Sequence, residues 1–239
     1  MDISNNRGVV ILGICIFLGL ASLGFLLSNA AITYKEYERS VTVKGLAERE
    51  QLADVVIWPI QFTEASNQLQ DIYVSLDQSQ QKIKDFLIQN GVNEDEISTS
   101  SPFVTDKSAQ QYGGGQSPEY RYVADQTVTV YSENVLEVRK IMNKLAELGK
   151  QGVALTGNEY QVRTEYLYNS LNDIKPEMIE ESTKEARKVA QKFAEDSDSK
   201  LGKIKTAYQG QFSISPRDNN NPHIKNIRVV STVVYYLSD

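Results

Sequence analysis

The spacing of apolar positions changes along this chain, and each change marks an element. Residues 9–27 (VVILGICIFLGLASLGFLL) are 19 residues without a charge. As a helix rising 1.5 Å per residue this run is about 28 Å long, close to the hydrocarbon thickness of a bilayer. Residues 40–47 (SVTVKGLA) alternate with period two and predict a strand. Residues 54–63 (DVVIWPIQFT) predict a second, apolar on both faces at its start. Pro59 within it cannot donate a ladder hydrogen bond, which predicts an edge or a bulge there.

A helix is predicted over 65–89, where Leu69, Ile72, Tyr73, Leu76, Ile83, Phe86 and Leu87 recur at helical spacing before Asn90-Gly91. A short strand is predicted over 96–104, and a polar, Gly-rich loop over 105–119. Alternation returns over 120–131, with Tyr122, Ala124, Val128 and Val130 on one face. A second helix is predicted over 133–148, ended by Gly149, and a strand over 157–168. A third helix opens at Pro176, whose fixed φ suits a first turn, with Ile179, Ala186, Val189, Ala190 and Phe193 as its buried stripe. Two last strands, 203–215 and 224–237, flank the polar loop PRDNNNPH.

Hairpin-linked strands interleaved with helices predict an α+β fold. Mainly antiparallel sheet carries three packed helices, preceded by one N-terminal transmembrane helix. The expected organisation is a cytoplasmic tail over 1–8, the membrane helix over 9–27, a linker over 28–39 and the α+β domain over 40–239. Arg7 lies before the apolar run, and after it Lys35 and Arg39 are offset by Glu36 and Glu38, which favours an N-terminus left inside and an exported remainder. The rival is a secreted periplasmic protein cleaved near Ala30, where Ser28-Asn29-Ala30 resembles a processing site. The run exceeds the typical signal-peptide core of about 7–15 residues, and Asp2 cancels Arg7, so the uncleaved anchor is the expectation.

Composition narrows the chemistry. The chain carries 25 basic and 31 acidic residues, a net charge of −6, so nothing in its balance marks a nucleic-acid binder. One Cys and one His exclude an internal disulfide framework and the usual Cys/His zinc site. Cys15 falls within the apolar run, and His223 falls in the Asn/Pro-rich loop, where a solvated role is expected. Gly113-Gly114-Gly115 lacks the Lys-Ser/Thr that makes a phosphate loop, and Glu94-Asp95-Glu96 lacks calcium-loop spacing. The expectation is no catalytic residue, no cofactor and no metal.

Tyrosine stands out, with 13 residues, all outside the apolar run. Tyr160, Tyr166 and Tyr168 share the face of one predicted strand, and Tyr235 and Tyr236 end the last. Tyrosine buries area while keeping a polar tip, so these five are the candidate oligomer interface; the alternative is that they cover the sheet beneath the helices.

Four segments resemble the SIMPL-domain family of bacterial envelope proteins. They are VTVKGLAEREQLADVVI at 41–57, Ile97-Ser98-Thr99-Ser100 after Asn90-Gly91-Val92, Tyr120-Arg121-Tyr122 leading into Thr127-Val128-Thr129-Val130, and KEARKVA at 184–190 closing on Lys200-Leu201-Gly202-Lys203. Their order and spacing cover 40–237. Ala47 and Ala53 depart from the family's usual second Gly and Pro. The resemblance implies an envelope protein, linked in several members to oxidative-stress tolerance, with ring- or channel-like oligomers in some and no catalytic residues to carry over.

The combined expectation is a non-enzymatic, membrane-anchored, self-assembling homo-oligomer. The alternatives are a binding module for a small solute or envelope component, rimmed by the 105–119 loop, and a hydrolase using carboxylates alone.

Overall fold

The computed structural model describes residues 3–110, 119–156 and 163–238. Helix α1 (Ile3–Glu38) runs through both the apolar segment and the expected linker. Its Val10–Lys35 stretch is long and apolar enough to cross a membrane and is nowhere covered by the rest of the chain. Such a helix fits a membrane anchor or a signal sequence. The remainder is mixed α+β, built on antiparallel pairings, and divides into two compact units.

The larger unit spans Arg49–Ile174 and Ile214–Ile227. Its sheet is centred on β2 (Val55–Ser66) and β5 (Tyr122–Ser132), paired antiparallel from Val56↔Ser132 to Ser66↔Tyr122. This long ladder holds Ala65 and Ser66 in the strand, so α2 (Leu69–Gln89) starts later than its periodicity predicts. Ile72, Leu76, Ile83, Phe86 and Leu87 are buried as expected, while Leu69 and Tyr73 face outward.

The predicted strand over 96–104 is two strands, β3 (Ile97–Thr99) and β4 (Phe103–Asp106), both on β5. Pro102 lies between them, where a residue without an N–H interrupts the ladder. β4 also takes Thr105 and Asp106 out of the predicted loop.

On the other edge of β2 lie β6 (Leu155–Thr156) and β7 (Glu165–Leu167). Eight residues, 157–164, separate these two along the chain, against three, 58–60, between their partners on β2. Thr63 donates its N–H to Ala154 O on this edge, and strand alternation puts the nitrogen of Pro59 on the same edge, inside the gap. The interruption expected from Pro59 is therefore present.

The second helix is also two pieces, α3 (Val135–Met142) and α4 (Ala146–Lys150). Gly149 lies inside α4, and Gly152, at φ 84°, makes the left-handed turn that ends it. Twenty buried side chains, Trp58, Phe62, Phe86 and Leu148 among them, form this unit's core.

The smaller unit spans Met1–Glu48, Lys175–Ser213 and Arg228–Asp239. Its sheet has the order β1-β10-β8, from β1 (Ser40–Leu52), β10 (Ile224–Ser238) and β8 (Lys200–Gln209), with β9 (Ser213–Pro216) also on β10. The single strand predicted over 203–215 breaks at Gly210, which is pressed against Val230: its N–H donates to Val230 O at 2.9 Å, and a Cβ there would stand 2.4 Å from the same oxygen.

Helix α5 (Leu171–Asp196) begins five residues before Pro176. Its inward residues are Met178, Ser182, Ala186, Ala190 and Ala194, four apart. Val189 and Phe193, predicted for the buried stripe, are 40% and 55% exposed. Gly45 explains the choice of face. A Cβ on Gly45 would sit 1.8 Å from Ser182 O and 2.4 Å from Ala186 N, so helix and strand meet backbone to backbone and only small side chains fit between them. The core here is Val43, Ala186, Ala190, Val233 and Tyr235.

Candidate functional site

Three places carry candidate chemistry. The first is β8. It ends the path β1-β10-β8, so its outer edge has no strand partner among the described residues. Eight of its ten residues are exposed, including Ile204 at 49% and Tyr208 at 65%. Lys203 and Lys205 lie on the same strand, and the Lys205 amine stands 5.4 Å from the Tyr236 ring.

The predicted tyrosine surface resolves unevenly. Tyr236 is exposed on β10, the strand paired with β8. Tyr235 points the opposite way and is buried against Val43, Ala186 and Ala190. Burial pushes its phenol above the ordinary value, with Arg187 opposing. Tyr166, on β7, is buried in the larger unit, where its hydroxyl accepts from Arg139 Nη1 at 3.3 Å and lies 3.7 Å from Met142 Sδ. Tyr168 is half-buried, raised by burial and then by Asp54 and Asp173. Tyr160 lies outside the described residues. Tyr166 and Tyr235 thus serve cores, and Tyr236 is the member most open to a partner.

The second place is Asp54, the acidic residue of the 41–57 segment. One carboxylate oxygen accepts the N–H groups of Asn169, at 2.5 Å, and Ser170, at 2.8 Å. These amides immediately precede α5, so the charge faces the positive end of the helix dipole. This grip starts the helix upstream of Pro176. A cavity of about 510 Å³ opens beside it, lined by Leu52, Ala53, Asp54, Val55, Glu133, Asn169 and Ser170. None of the described residues of the loop expected to rim a binding cleft, 105–110 and 119, lines it. Glu133 and Asp54 are its two carboxylates, and Asp54 is already committed to backbone amides.

The third place surrounds His223, whose expected solvated role is wrong. Its side chain is buried, 7% exposed, and Nδ1 has no hydrogen-bond partner among the described residues. Its carbonyl accepts from Ala53 N at 2.8 Å, and its ring stands 6.0 Å from that of Tyr166. The loop is folded onto the unit because Asp218 accepts from Asn220 N and Asn221 N and pairs with Arg217. Burial, then Arg139 and Arg217, hold the imidazole below its ordinary value, with Asp218 opposing.

Two residues on is Lys225, 8% exposed, its amine lowered by burial and by Arg163. Sequence reasoning passed over it, although a signal exists: Lys225 is in phase with the buried Ile227, Val229, Val233 and Tyr235 on β10.

Other candidates take structural roles. Cys15 is exposed on α1. Glu94–Glu96 is a short turn in which Glu96 accepts from Asn93 N. Lys82 donates to Gln151 O. The triple glycine lies outside the described residues, and among the described residues no group of three His, Cys, Asp or Glu converges as a metal site.

A comparison with curated proteins finds no match. The family model for SIMPL, described as a protein of unknown function (DUF541), matches residues 41–231. That span runs from β1 to within β10 and takes in Gly45, Asp54 and His223, and with it the chain belongs to the SIMPL family.

Proposed function

We propose that this SIMPL protein is a non-enzymatic, membrane-tethered subunit of the cell envelope that assembles with its own copies through β8. The observation carrying the reading is a strand edge unpaired among the described residues, with exposed Ile204 and Tyr208, in the same compact unit as the apolar helix. An open edge offers backbone donors and acceptors to another strand. Lys203 and Lys205 on that strand are the kind of charge that discourages indiscriminate pairing, so the edge is selective. Anchoring every copy by α1 raises their effective concentration, which lets a modest interface suffice. The charge pattern around the apolar run supports an exported orientation for the folded part.

The test is the mass of detergent-solubilised protein by light scattering at micromolar concentration. The expected result is a multiple of the 26.8 kDa chain, reduced to the chain mass by Ile204→Glu combined with Tyr208→Glu. A single-chain mass for the natural sequence, or an unchanged multiple in the double variant, overturns the β8 reading.

One observation favours a second reading, a module for a small solute: the cavity beside Asp54. That reading requires a solute that shifts the Asn169 and Ser170 amide resonances without changing the mass.

A further inference from the structure

Residues 217–223, ahead of β10, are folded onto the larger unit by two kinds of tie. The first is ionic. Asp218 accepts from Asn220 N at 2.9 Å and Asn221 N at 2.8 Å and pairs with Arg217, which also reaches Glu50 at 3.5 Å. The second is His223. Its carbonyl accepts from Ala53 N at 2.8 Å, and its buried ring stands 6.0 Å from the ring of Tyr166.

This second tie suits a neutral imidazole only. The Arg139 guanidinium, on α3, donates to the Tyr166 hydroxyl at 3.3 Å and stands 5.9 Å from that ring, so Tyr166 meets a fixed cation and the imidazole at once. The other charges near the ring are Arg217 and Asp218 on the loop itself and Lys225, the next inward residue of β10. Asp218 favours a charged ring but is already paired with Arg217. Protonation would make both ring nitrogens donors, and Nδ1 has no acceptor among the described residues. A buried cation left without a partner is costly.

We propose that His223 is an acid-released latch: protonation of its ring frees residues 217–223, breaks the backbone bond to Ala53 and opens the wall of the cavity beside Asp54, which Ala53 lines. His223 is the chain's one histidine, and histidine is the side chain whose ordinary value lies between about pH 5 and 8. Arg217 first among its causes holds the Asp218 carboxyl down to about 2, so the ionic tie keeps its charge throughout that window. Burial, Arg139 and Arg217 hold the imidazole below its ordinary value of 6.5 while the latch is closed. A released ring therefore takes its proton more readily than a closed one. Closure is at full strength above 6.5 and weakens as pH falls below it, until the closed ring also takes the proton. One proton weakens closure by at most about tenfold per pH unit.

The measurement is amide exchange at Ala53 in the full chain in detergent, from about pH 7.5 to about pH 5, expressed as protection so that the intrinsic pH dependence drops out. Protection at Ala53 should fall below pH 6.5, by up to about tenfold per unit, while amides pairing β2 with β5 keep theirs. The His223 ring resonances should titrate below 6.5. His223→Gln should make Ala53 protection independent of pH. Lys225→Met should leave the fall in place, which separates the two buried bases. Constant protection at Ala53 in the natural chain, an equal loss across β2 and β5, or a ring titrating at or above its ordinary value overturns the proposal. So does a fall that survives His223→Gln or vanishes in Lys225→Met. If His223→Gln does not fold, the ring titration and the Ala53 fall in the natural chain still decide.

Discussion

The two units solve the burial problem in opposite ways. The larger packs bulky side chains, with Phe62, Leu76 and Ile83 at 1% exposure or less, between a central strand pair and α2. The smaller draws α5 onto β1 until backbones touch, with glycine and alanine at the contact and five residues in its core. The first gains mainly from apolar area removed from water. The second gains from close packing, and it has no slack. Opposite substitutions should therefore damage the two.

The largest expected effect is Phe62→Ala, which empties a fully buried position and should cost about 4 kcal/mol. Hydrogen exchange should quicken first in β2 and β5. Next is Gly45→Ala, which adds one methyl group where 1.8 Å is available and should cost about 3 kcal/mol. Exchange should then quicken first in β1, β10 and α5. If both substitutions loosen the same amides equally, the contrast between the units is wrong.

The smallest effect sharpens the larger unit's surface. Arg121, then Ser108, hold the Asp106 carboxyl down to about 2. A lowered folded value makes this contribution present above the unfolded carboxylate range, about pH 4, and lost as pH falls through about 2. Amides of 105–108 should therefore stay protected to lower pH in the natural chain than in Arg121→Gln. Equal profiles would show that the ion pair at the loop base adds nothing.

Legibility followed the length and regularity of each pattern. α2 and β5 were readable because many residues repeat one period against one core. β10 was readable too, and its phase even marks Lys225 as an inward charge. The face of α5 was misread because large residues ordinarily face a core; Val189 and Phe193 yield to alanines only because Gly45 brings a strand within backbone contact. His223 was misread because its loop is polar throughout, and its burial comes from Asp218 folding that loop and from Tyr166, far away in the chain. Tyrosines on one predicted strand face looked alike, whereas partners from other elements decide that Tyr235 is core and Tyr236 is surface.

Sequence by itself determined the apolar anchor-length helix, the α+β class, the family and the poverty of nucleophiles, because these depend on composition, local period and short-range order. Tertiary structure alone decided which edge stayed open, which face of α5 turned inward and that His223 is buried. Each of those depends on the approach of residues more than a hundred positions apart, such as Gly45 and Ser182, and no local pattern records such distances.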